Sequence, residues 1–140
     1  MSGFAFALNA ALEVFREIVI AQGGDVRMVD DPSRLPTAPH QITVKATAAG
    51  HVHRVDARKV AMTALGLGAG RHRAGDPIDP RVGITQLVKI GDRIEPGMTL
   101  AKVHAASAVS AAIASADISA AVTVGAGFSH QGFSLIERVI

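Results

Sequence analysis

Between Val55 and Ala105 the chain reads VDARKVAMTALGLGAGRHRAGDPIDPRVGITQLVKIGDRIEPGMTLAKVHA, and glycines and Asp-Pro pairs cut its apolar runs short. A short helix, a glycine turn, a double Asp-Pro loop and a strand-rich unit follow one another without a gap. Asp56 suits the N-cap of the helix, because its carboxylate can accept the free backbone N–H groups of the first turn. Val60, Ala61, Ala64 and Leu65 are its expected buried face, and Gly66, Gly68 and Gly70 end it. Asp76-Pro77 and Asp79-Pro80 set turn geometry through the locked φ of proline. From Gly83 to His104 two or three short strands are expected, with tight turns at Gly91-Asp92 and Pro96-Gly97.

The flanks extend this pattern. Leu8, Ala11, Leu12, Phe15, Ile18, Val19 and Gln22 form one mostly apolar stripe at helical spacing, predicting an amphipathic helix from about Phe4 to Ala21 that stops at Gly23-Gly24. DVRMVDDPSRLPTAPH, with three prolines, reads as an extended connector. The expected division is therefore residues 1–39, helix and connector, and residues 40–140, the body. In the body, Gln41 to Ala46 alternates like a half-buried strand, with Ile42, Val44 and Ala46 on one face. Gly50 allows a turn or bulge before a second strand, His51 to Val55. An Ala- and Ser-rich stretch from Ala105 to about Ala120 places Val109, Ala112, Ile113 and Ala116 on one face of a helix. Val122 to Val124 and Ser134 to Val139 read as short strands around a glycine-rich loop. No internal repeat is visible.

Composition narrows the function classes. At 140 residues the chain has the size of one domain with a real core. Apolar residues make up 49% of it, but five Phe are its whole aromatic content, so the core must be built from Val, Ile, Leu and Ala. That favours packed strands and small helices over base-stacking platforms. A formal charge of +2, with cations interleaved among acids, offers no basic stripe for nucleic acid. The absence of cysteine removes disulfides and thiolate metal sites and fits a reducing compartment, the cytoplasm. Residues Phe4 to Ile20 lack a basic leader and are interrupted by Glu13, Arg16 and Glu17, so they are not read as a signal peptide. No stretch approaches the length of an apolar membrane span.

Several residues invite a chemical reading. Gly68, Gly70, Arg71 and Arg73 are anion-binding candidates, since a glycine turn and two arginines can present N–H groups and cations to a phosphate. The loop follows a helix, however, whereas phosphate fingerprints run strand, glycine turn, helix, and this order favours a helix C-cap. His51 and His53 would share one side of a strand as half of a metal site, but no spacing supplies two further ligands. His40, His72, His104 and His130 fall in loops or at strand ends as structural or solvated residues. Asp76 and Asp79 resemble an acid/base pair only in spacing, because each precedes proline and suits a turn. Neither Lys89 nor Lys102 sits at a hairpin tip, where a carrier lysine would be. No serine lies in a nucleophile elbow. Catalytic, metal and cofactor residues are therefore all assigned as none.

Five separated pieces, VDARKVA, LGAGR, DPIDP with VGI, KIGDRI and GMTLAKVHA, stand in the order found in one family. The chain resembles the C-terminal domain of thymidine phosphorylase and the related pyrimidine-nucleoside phosphorylases. ALEVFREIVIAQGGD is similar to the helix and turn that precede that domain, and LIERVI to its closing strand. The Gly83 to His104 turns also resemble those of lipoyl and biotinyl carrier domains.

The resemblance implies an α+β fold: a small mixed, barrel-like β-sheet with two packed helices and an N-terminal amphipathic helix. It implies a pentosyltransferase family in which phosphate attacks the glycosidic carbon of thymidine or uridine, releasing base and a pentose 1-phosphate. The phosphate loop of that family reads like KHSTGGVGDK and lies, with the base-binding Arg, Ser and Lys, in the N-terminal portion. Nothing in this sequence matches those motifs. The chain is thus expected to be inactive alone, with the remaining phosphorylase domains or another subunit as partners, in a homo-oligomer. The alternative is a stand-alone interaction or carrier-like module. AASAVSAAIASADISAA departs from the more charged helix usual in the family, which leaves its partner surface open.

Overall fold

The structure, a computed structural model, describes residues 3–127, with side chains described from residue 9 onward. The expected strand Ser134 to Val139, the segment LIERVI and His130 lie outside the described residues. The chain divides into two compact units, residues 1–36 and 37–140.

The first unit begins with helix α1, Gly3–Ala21. It ends as the sequence predicts. Gly23 takes φ +74°, and the amides of Gly23 and Gly24 donate to the carbonyls of Ile20 and Val19, satisfying the last turn. Leu12, Phe15 and Ile18 of its apolar stripe are exposed. The segment expected to be an extended connector instead contains a short helix α2, Arg27–Asp30, and a 3₁₀ turn, Pro32–Arg34. Local carboxylates explain the difference. Asp31 caps the 3₁₀ turn by accepting from the Ser33 amide, and Pro32 stands at its first position, where a missing N–H costs nothing. Arg16 on α1 pairs with Asp30, and Asp25 holds Arg27 through two parallel N–H···O bonds of 2.7 and 2.9 Å.

The second unit is α+β. Among the described residues its strands form two three-stranded antiparallel sheets. Strands β1 (His40–Lys45) and β3 (Gly83–Thr85) flank β5 (Thr99–Ala105), while β4 (Arg93–Ile94) and β6 (Val122–Gly125) flank β2 (Gly50–Val55). No closed barrel is formed among the described residues, so the description barrel-like fits only loosely, and the pairing is antiparallel throughout rather than mixed. Turn chemistry explains the pairing: Gly91 and Gly97 have φ of +95° and +87° at the two predicted tight turns.

Register follows the apolar alternation of β1. Ile42 faces Val103 and Val44 faces Ala101, and a register shift follows Val44. Strand β5 is the centre of its sheet, and Leu100, Ala101, Val103 and Ala105 are all buried on it. Gly50 opens β2 at φ +151°, where a Cβ would stand 2.4 Å from the Gly125 carbonyl oxygen. Only glycine permits β2 and β6 to approach so closely there.

Helix α3, Ala57–Ala64, is capped as expected, with the Asp56 carboxylate accepting from the Lys59 amide at 3.0 Å. Its buried face differs from the predicted one: Ala61 is exposed, and Thr63 is buried with its hydroxyl donating to the Lys59 carbonyl. A π-type turn over Leu65–Ala69 follows, in which Gly68 takes φ +101° and Leu67 enters the core. Helix α4, Ala108–Ala121, starts from a capping box between Ser107 and Ser110. It buries Ala111, Ala114, Ile118 and Ala121, so Val109, Ala112, Ile113 and Ala116 do share a face, but the solvent-exposed one. The α4 residues Ala111, Ala114 and Ile118 join Val52, Leu67, Ile94 and Val103 in one core of aliphatic side chains.

Candidate functional site

The anion candidates lie in the loop between α3 and β3. Gly68 gives its carbonyl to the Asp79 amide at 3.0 Å. Gly70 is extended, and a Cβ there would approach Leu65 Cδ1 to 2.9 Å. The Asp76 carboxylate accepts from the amides of His72 at 3.1 Å and Arg73 at 2.8 Å, and the Asp76 carbonyl accepts from Arg71 Nε at 3.1 Å. The amides of His72 and Arg73 are thus turned onto an acid of the same loop. Arg71 and Arg73 both bond to Asp76, whereas Gly68 accepts from Asp79 in the neighbouring turn.

Asp79 has the same kind of role. It accepts from the Arg81 amide, Nε and Nη2 at 2.9–3.0 Å, and these bonds hold its carboxyl below the usual carboxylate range and raise Arg81. A carboxylate so engaged accepts hydrogen bonds and is a poor proton shuttle. The two Asp-Pro acids are turn fasteners.

The described histidines are spread over β1, β2, β5 and the loop after α3. His51 and His53 lie on β2 on either side of Val52, next to a register shift between Val52 and Arg54. Among the described residues no group of three His, Asp or Glu is placed to hold a metal ion. His104 on β5 meets Thr85 on β3, Nε2 to Oγ1, at 2.8 Å. Partial burial, and then the charge of Lys102, hold this imidazole below its ordinary range. Lys102 lies inside β5, across from Thr43 and Thr85, and Lys89 donates its amide to Asp92 within the turn. Both positions are those expected of ordinary strand and turn lysines.

Sequence reasoning missed the groove between α3 and α4. It encloses about 360 Å³ over a floor of Leu67, Thr63 and Ala114, with Met62 and Ile113 as walls and Lys59 and Asp117 at the rim, 3.9 Å apart. Met62 and Ile113 are 55% and 61% exposed along it, and Val109, one turn before Ile113 on α4, is 71% exposed. The available signal was the near absence of charge in AASAVSAAIASADISAA, which left two sides of α4 equally apolar. The lining offers apolar contact, the hydroxyls of Thr63 and Ser110 and one ion pair.

Residues 51–127, from β2 through β6, match the family model described as pyrimidine nucleoside phosphorylase C-terminal domain. The chain belongs to this family. Individual relatives agree. The chain is 45% identical to the pyrimidine-nucleoside phosphorylase of Bacillus subtilis (strain 168) over 95 residues, which are 68% of this chain and 22% of that protein. It is 35% identical to the thymidine phosphorylase of Mesorhizobium japonicum over 131 residues, 93% of this chain and 30% of that protein. A Staphylococcus aureus (strain USA300) pyrimidine-nucleoside phosphorylase is 42% identical over 96 residues, 69% of this chain and 22% of the relative. The chain thus spans a fifth to a third of the length of these relatives. In this phosphorylase C-terminal domain Gly68, Gly91, Gly97, Asp76 and Asp79 shape turns.

Proposed function

We propose that this chain serves as the C-terminal structural domain of a thymidine or pyrimidine-nucleoside phosphorylase, a pentosyltransferase that converts thymidine and phosphate to thymine and 2-deoxyribose 1-phosphate. The observation that carries the reading is the family match over residues 51–127, joined to relatives of which the chain spans only 22–30%. Phosphorolysis needs cations or N–H donors on phosphate and a group that stabilises charge on the departing base. Nothing in this sequence matches the family's phosphate-loop motif, which supports the reading. The chain's task is to buttress the catalytic portion and shape its cleft, with that portion or another subunit as partner. The working assembly is a cytoplasmic homo-oligomer, and phosphate and nucleoside bind only in the full enzyme.

The test is direct. The purified chain, incubated with thymidine and phosphate and followed by the ultraviolet change on base release, is expected to give no thymine above a protein-free control. Release of thymine would place the active site within this chain and overturn the assignment.

A second reading, a non-catalytic interaction module derived from the same family, is favoured by one observation. The exposed Met62, Val109 and Ile113 give a face able to bind a protein partner without any chemistry. A stable, well-folded oligomer of the isolated chain supports this reading; a monomer supports the domain of a longer enzyme.

A further inference from the structure

We draw no further inference here: the strongest candidate, the apolar groove between α3 and α4 walled by Met62 and Ile113, carries none because nothing in the structure shows what covers it.

Discussion

Gly50 shows how one residue can decide a strand pairing. Its φ of +151° and the 2.4 Å that would separate a Cβ from the Gly125 oxygen make any side chain there both strained and obstructed. Gly50→Ala is expected to destabilise the protein by about 1–3 kcal/mol from the backbone alone. A urea unfolding midpoint unchanged from wild type would refute this. His104 allows a pH prediction. Its folded-state pKa lies below the ordinary 6.5, so the unfolded chain binds the proton more tightly. The stability from the neutral imidazole is then complete above pH 6.5 and declines as pH falls through the window beneath it. His104→Gln should flatten this part of a stability-against-pH curve, while an unaltered slope would assign the effect to other groups. Asp25, held at about 2 by Arg27, follows the same sign rule at lower pH. Its contribution is present above the ordinary carboxylate value and fades as pH falls towards 2; solvent screening of the partly exposed pair keeps it small.

Helix α3 was legible as an element because Asp56, the apolar spacing and the closing glycines agree. Asp56→Ala removes the acceptor for the Lys59 amide and should cost about 1 kcal/mol, measured as a lower thermal midpoint. If Asp56→Asn loses as much as Asp56→Ala, the cap is not the cause, since an amide oxygen can still accept that bond. The buried side of α3 was harder to read. Thr63 enters the core because its hydroxyl bonds back to the Lys59 carbonyl, hiding a polar group that sequence patterning assigns to solvent. For α4 the ambiguity was greater. Ala111, Ala114 and Ile118 are no more apolar than Ala112, Ile113 and Ala116, so periodicity fixed the helix but not its rotation. The connector was misread for a local reason, as Asp31 and Pro32 nucleate a turn from residues that equally suit extended chain. The candidate loop was legible as a turn, but its internal occupant was not. Asp76 meets His72 and Arg73 across a bend that spacing alone does not specify.

At the scale of the molecule, the two antiparallel sheets share one aliphatic core while α4 leaves an uncharged face outside it. Val109→Ser and Ile113→Ser should therefore change unfolding free energy by less than about 0.5 kcal/mol, because both side chains stay mostly in water on folding. A loss of 2 kcal/mol or more in urea titration would show that the face is covered in solution. The turns at Gly68, Gly91 and Gly97, the cap at Asp56 and the family were determined by the sequence itself. Each depends on chemistry between near neighbours: positive φ, a locked proline, a carboxylate within reach of amides. Tertiary structure alone decided that the strands divide into two sheets and that Ile118 rather than Ile113 is buried. Those outcomes depend on which distant surfaces exclude water together, and the order of residues along the chain leaves that choice open.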